Sequence, residues 1–198
     1  MNDVIIVQQS GGLGRRLAPT DGVCGLITNG VNVVGGVQFN KAYRLNALTD
    51  LDALKIDKDY DTDNKVLVYA NVKDFFRLNP TGELWLYVVD ETDTYAEMVE
   101  NHTENLVIAS EGAVKVIGYV YNDKLAGVPE TPVVLSTVID NAQTACEQLT
   151  ANHYPVSAVV EMVGFDSSNV KDYRTKNARR VTAVVAQDYA LAQDADYS

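Results

Sequence analysis

Leu84-Trp85-Leu86-Tyr87-Val88-Val89, running into Asp90-Glu91-Thr92-Asp93-Thr94-Tyr95-Ala96-Glu97, is the stretch whose reading decides the fold. A short, uninterrupted apolar run rich in aromatic and β-branched residues suits a strand covered on both faces better than a helix. Just beyond it, Thr94 stands three positions before Glu97, the reciprocal capping pair that opens a helix, and Met98, Val99, His102 and Leu106 then share one helical face. A buried strand feeding an amphipathic helix is the first half of a crossover, the connection that parallel strands require.

The same alternation continues toward the C-terminus. Val114 to Tyr121 reads as a second strand rich in β-branched residues. Val134 to Asn152 sets Leu135, Val138, Ile139, Ala142, Cys146 and Leu149 along one helical stripe, and Pro155 separates that helix from a strand over Val156 to Val163. Ser168 is placed to cap a further helix through Ala178, and Val181 to Ala186 is the last strand.

Toward the N-terminus, Asn79-Pro80-Thr81-Gly82 stops a long helix over Thr62 to Leu78, since Leu67, Ala70, Asp74 and the Phe75-Phe76 pair keep helical spacing. Leu48, Leu51, Leu54 and Ile56 define a short helix with Thr49 as its cap. Asn29-Gly30, between Gly22 to Thr28 and Val31 to Phe39, is a strong hairpin signal because both turn positions tolerate positive φ. The leading Val4-Ile5-Ile6-Val7 is a short strand, joined to the rest by a flexible stretch containing Gly11, Gly12 and Gly14.

The expectation is therefore an α/β fold: a mixed, largely parallel sheet with helices on both faces, preceded by an N-terminal arm (1–20) and a β-hairpin region (21–44). The core domain spans 45–190 and a frayed acidic tail follows over 191–198.

Charge narrows the function classes. The 198 residues include 27 acidic and 16 basic side chains, a formal charge of −11 that repels polyphosphate and argues against nucleic acid as a partner. Lys171, Arg174, Lys176, Arg179 and Arg180 form a local basic exception, either a solvated face or a contact for an acidic partner. Two distant cysteines, Cys24 and Cys146, lack metal-ligand spacing and read as small buried hydrophobes. No apolar run approaches the ~18 residues of a membrane span.

Candidate chemistry is sparse. Gly12-Leu13-Gly14 with Arg15 and Arg16 hints at a phosphate loop, but no third glycine and no Gly-Lys-Ser/Thr ending follow. Asp90, Asp123, Asp166 and Asp188 each fall just past an expected strand, at the sheet edge where ligands bind in open α/β folds. They either hold a magnesium ion for a small metal- or phosphate-dependent enzyme or cap strand-to-helix turns. His102 reads as a packing residue, His153 sits at a helix end, and Glu161 is an acid among apolar strand neighbours, suited to a buried hydrogen bond or to a sheet-end position more than to a general base. Tyr69, Phe75, Phe76 and Trp85 read as core, with at least one available to anchor a subunit contact.

The chain resembles the contractile phage tail sheath family, particularly Mu-like sheath proteins, over the N-terminal and core part of such subunits. The similarity runs through Asp21-Gly22-Val23-Cys24-Gly25-Leu26-Ile27 and Tyr43-Arg44-Leu45-Asn46-Ala47-Leu48-Thr49-Asp50-Leu51-Asp52-Ala53-Leu54. It is clearest at Val72-Lys73-Asp74-Phe75-Phe76-Arg77-Leu78-Asn79-Pro80-Thr81-Gly82-Glu83-Leu84-Trp85-Leu86, and returns at Asp140-Asn141-Ala142-Gln143 and Pro155-Val156-Ser157-Ala158-Val159-Val160-Glu161.

The resemblance implies a structural, non-enzymatic subunit without cofactors that assembles with copies of itself around a tail tube, with baseplate proteins as further partners. Such a subunit would be made in the bacterial host cytoplasm and end in a virion tail or a prophage-derived injection apparatus. The arm Val4 to Val7 would then pair with a neighbour's sheet edge, since it cannot satisfy its own backbone.

Overall fold

A computed structural model of the chain describes residues 22–122, 133–163 and 172–185. The arm residues Val4, Ile5, Ile6, Val7, Gly11, Gly12 and Gly14 lie outside them, as do Asp123, Asp166, Asp188, Lys171 and the expected cap Ser168.

Among the described residues six strands form one sheet in the order β2-β3-β1-β4-β5-β6, with β1 Val23–Asn29, β2 Lys41–Leu45, β3 Glu83–Val89, β4 Val116–Val120, β5 Ser157–Glu161 and β6 Val181–Val184. Only β2 runs antiparallel, against β3; the other four pairings are parallel. The α/β architecture with a mixed, mostly parallel sheet is thus as the alternation predicts.

Period-2 alternation sends the strand side chains into two cores. Ile27, Tyr87, Val89, Ile117, Tyr119 and Val160 pack under α3 (Tyr95–Ala109) and α4 (Leu135–Ala151). Leu26, Leu84, Leu86 and Val88 pack on the other face against Leu51 and Leu54 of a 3-10 helix (Leu48–Leu54), Tyr60 of α1 (Lys58–Asn64), and Val72 and Phe76 of α2 (Val68–Leu78). Gly25 lies where α3 crosses the sheet: a Cβ there would come within 2.6 Å of Leu106 Cδ2. Thr94 and Glu97 do form the capping box, with the Thr94 N–H donating to Glu97 Oε2 at 2.9 Å and the Glu97 N–H to Thr94 Oγ1 at 3.3 Å.

The largest departure is the hairpin. Val23–Asn29 does not pair with the residues after Gly30; it is an interior strand, flanked in parallel by β3 and β4. Residues 31–39 form a looped excursion closed by the bonds Val33 N–H to Val37 O and Val37 N–H to Leu54 O, both 2.9 Å. Long-range pairing of two strongly apolar strands overrode a local turn signal. Gly30 is needed for another reason, because a Cβ there would meet Tyr60 Oη and Val88 Cγ1, both at 2.8 Å.

The long helix over Thr62 to Leu78 is two helices, broken at Lys65, which adopts a left-handed φ of 56° and lets Val66 turn into the core. The buried carboxylate of Asp61 then caps the second helix, accepting the N–H groups of Tyr69 and Ala70 at 2.9 Å each. The short helix over 48–54 is capped by Asp50 instead of Thr49, its carboxylate accepting the N–H groups of Asn46 and Ala47. Residues 172–178, expected to be helical, are irregular with a turn at Arg174 and Thr175; Cys24 is half-buried and only Cys146 is fully buried.

Candidate functional site

In an open parallel sheet the first place to look is the carboxyl edge, where neighbouring strands send their connections to opposite faces. Here that point lies between β1, which leads to the α1/α2 face, and β4, which leads to α4. There two buried asparagines clasp the strand ends. Asn29 Nδ2 donates to the Asn122 carbonyl at 3.0 Å, the Asn122 N–H returns to Asn29 Oδ1 at 2.8 Å, and Asn122 Nδ2 reaches Thr28 Oγ1 at 3.2 Å. Each of these side-chain amides is engaged by the other and by the strand ends.

Beside the clasp, Tyr95 stacks on Tyr121 with ring centroids 5.1 Å apart. The Tyr95 hydroxyl donates to the Tyr119 carbonyl at 3.3 Å and accepts the Glu161 N–H at 2.9 Å, tying the ends of β4 and β5 together. Burial pushes its phenol far above the ordinary range, as it does that of Tyr119, whose hydroxyl sits 2.6 Å from Thr103 Oγ1. Neither hydroxyl exchanges protons near neutrality.

Of the four rim carboxylates, Asp90 alone is described, and its Oδ1 accepts the N–H and hydroxyl of Thr92 at 2.9 and 2.8 Å, a turn cap. Among the described residues no three His, Cys, Asp or Glu side chains gather as a metal would require. His102 is buried against the Tyr87 ring, with Nε2 2.9 Å from Asp93 Oδ2 and Nδ1 without a hydrogen-bond partner. Glu161 ends β5 and His153 follows α4 with a left-handed φ of 69°, as the strand-end and helix-end readings place them. Burial raises the Asp61 carboxyl to about 6, opposed by the backbone N–H groups it accepts.

The basic stretch is dispersed by local pairing. Arg174 Nη2 meets Asp172 at 2.8 Å, Lys176 Nζ bridges Asp140 on α4 at 2.5 Å, and Arg179 Nε donates to Asn177 at 3.2 Å. Lys176 and Arg180 fasten the approach to β6 onto α4, the latter through its N–H to Gln143 Oε1 at 2.9 Å. Of the four aromatics, Phe76 is buried, while Tyr69, Phe75 and Trp85 are half-buried.

The outermost described strand on the other side of the sheet is β6. The bonds from Ala158 N–H to Arg180 O and from Met162 N–H to Val184 O turn the even-numbered backbone groups toward β5. The alternation therefore aims those of Ala183 and Val185 outward, where among the described residues no strand meets them. The strand carries no charge, Val184 and Val185 are exposed, and a groove of about 650 Å³ continues beside it between Ile139, Met162, Tyr173 and Val181. Sequence reading missed this edge because strand order cannot be read from local periodicity.

Among the described residues these features define an open α/β domain in which two asparagines clasp the ends of β1 and β4 and no further strand meets the outer side of β6. The chain belongs to the family described as DUF2586, N-terminal domain, whose pattern matches residues 1–193. No curated protein matches it. Among the described residues no helix is long and apolar enough to cross a membrane.

Proposed function

We propose that this chain is a structural subunit of a contractile tail sheath, self-assembling around an inner tail tube and contracting to drive that tube into a target cell. The observation that carries the reading is the uncharged edge of β6, which among the described residues no further strand meets, on a sheet packed on both faces. An exposed apolar edge strand is an aggregation hazard that soluble monomers suppress; it is tolerated where another strand is meant to cover it. The sheath resemblance supplies the covering element, the leading Val4 to Val7 segment of a neighbour, with copies of the subunit, the tube protein and baseplate proteins as partners.

Magnitudes favour an array over a pair. Three or four added backbone hydrogen bonds contribute about 0.5–1.5 kcal/mol each, while bringing two molecules together costs about 4–15 kcal/mol. One arm on one edge therefore holds weakly, but a subunit that both donates and receives gains from every neighbour already in place. Contraction would draw on core surfaces that bury more area in the short state, at about 2.5 kcal/mol for each ~100 Å² of apolar surface, with the arms keeping subunits connected. No catalytic step enters this mechanism, and the site of action would be the virion tail after assembly in the host cytoplasm.

The test is removal of residues 1–14. Light scattering and electron microscopy should show rings or tubular polymers for the whole chain, and monomers with an unchanged thermal transition for the shortened one. Monomers from the whole chain at every salt and protein concentration would overturn the proposal.

A further inference from the structure

Residues 31–39 leave the end of β1 as a stapled excursion, and its turn carries one apolar side chain away from the molecule. The Gly36 N–H donates to the Val33 carbonyl at 2.9 Å, and Gly35 takes a φ of 69°, the positive value that the third position of a type II turn needs. Below the turn Val37 is fully buried and its N–H donates to the Leu54 carbonyl at 2.9 Å. Lys55, itself held at a left-handed φ of 57°, places Nζ 2.9 Å from the Val34 carbonyl, to which it donates. Val34, at the tip, is 93% exposed.

A lone exposed valine is ordinary. A strained lysine that fixes the turn presenting it is not, because such strain persists only where the surroundings enforce it. The Lys55 ammonium keeps two further donors, and among the described residues no carboxylate meets it.

The helices on the other face of the sheet have the complementary character. Their charged residues are Glu97, Glu100 and Glu104 on α3 and Asp140 and Glu147 on α4, with no lysine or arginine. Between the two helices runs a groove of about 360 Å³, lined by Ala145 and Leu149, by the carboxylates of Glu100 and Glu104, and by the amides of Gln148 and Asn152. Glu100 Oε2 accepts a bond from Asn141 Nδ2 at 3.1 Å, but no cation among the described residues pairs with either glutamate. Like charges four apart on a helix destabilise it, and a cation brought to both relieves that.

From this complementarity we propose that the Val34 turn of one copy, with Lys55 beneath it, seats in the α3/α4 groove of a second copy. The apolar tip would lie on Ala145 and Leu149, and the ammonium would face Glu100 and Glu104. The turn packs with the α1/α2 core and the groove belongs to the opposite one, so the sheet separates them within one molecule and the contact joins two. A knob on one face and its groove on the other make a heterologous interface, which repeats from copy to copy instead of closing on a pair. The inference rests on the assembly reading above and adds to it a contact between cores that involves neither the leading segment nor β6.

The experiment compares full-length variants by sedimentation over a concentration series. Val34→Asp sets a carboxylate on the tip and should weaken association about 10- to 100-fold, on the scale of one buried valine lost, with an unchanged thermal transition. Glu100→Lys combined with Glu104→Lys spoils the groove and should weaken association similarly. Val34→Lys lays an apolar stem on the groove floor and adds a cation, so it should associate at least as well as the native chain.

At concentrations where each is monomeric alone, the Val34→Asp chain mixed with the Glu100→Lys/Glu104→Lys chain should give one-to-one dimers that grow no further, because one supplies an intact groove and the other an intact turn. Native association of Val34→Asp overturns the proposal, as does a Val34→Lys chain equally weakened. A mixture that stays monomeric overturns the pairing of these two surfaces. Where the native chain assembles, any of these results refutes this inference alone; a native chain that never assembles refutes the sheath reading as well.

Discussion

β2 and β6 end the same sheet on opposite sides, yet they are built from opposite chemistry. The β2 edge carries Lys41, whose Nζ lies 5.2 Å from the centre of the Tyr43 ring, and Arg44, whose Nη2 meets Glu83 at 2.5 Å. Both cations would have to shed water before another strand could lie against them. The β6 edge is Val181-Thr182-Ala183-Val184, continued by exposed Val185. One edge is protected in the way soluble sheets usually are; the other is left in the state that pairing requires. The difference teaches that, of the two described edges, β6 is the one whose chemistry would admit a further strand, as the proposed assembly requires.

The comparison can be broken most decisively at Ala183. Proline there removes an outward N–H while sparing the bonds that Arg180 and Val184 make to β5, so Ala183→Pro should abolish assembly in sedimentation experiments with little change in thermal stability. Assembly at the native level would show that the β6 edge is not used.

A smaller effect is expected from disarming the opposite edge. Lys41→Val with Arg44→Val should create a second adhesive strand, seen as irregular aggregates by light scattering where the native chain gives ordered polymers; a double variant indistinguishable from native would show that these charges guard nothing. The smallest change is expected from Arg44→Ala alone. An exposed pair of this kind is worth about 0–1 kcal/mol, so denaturant titration should place the variant within that range of the native chain. A larger loss would make the Arg44–Glu83 contact structural and weaken the view of β2 as a guarded edge.

The parts of this picture that were legible in the sequence are those governed by neighbours in the chain. The apolar run at Leu84 to Val89 is a strand because its residues suit no solvated element, and Thr94 with Glu97 opens α3 because both capping partners lie within one turn. The parts that were not legible depend on what residues far apart in sequence do to each other. Asn29-Gly30 has the chemistry of a hairpin turn. In the folded chain Asn29 bonds to Asn122, 93 residues away, and Gly30 makes room for Tyr60 and Val88. Lys65 breaks what reads as one helix because Val66 and Asp61 find better partners in the core and at the start of α2.

The candidate site divides the same way. The apolar last strand and the basic stretch containing Arg179 and Arg180 are plain in the sequence. That β6 stands at the rim of the sheet and not within it is visible only in three dimensions.

The sequence by itself determined the alternation of strands and helices, the sheet buried on both faces, and the acidic character that disfavours nucleic acid, since each follows from side-chain period and composition. Only the tertiary structure decided which strands are neighbours, that two asparagines clasp the ends of β1 and β4, and that among the described residues no further strand pairs with β6. Strand order is set by burial and hydrogen bonding summed over the whole sheet, and no local window of residues contains that sum.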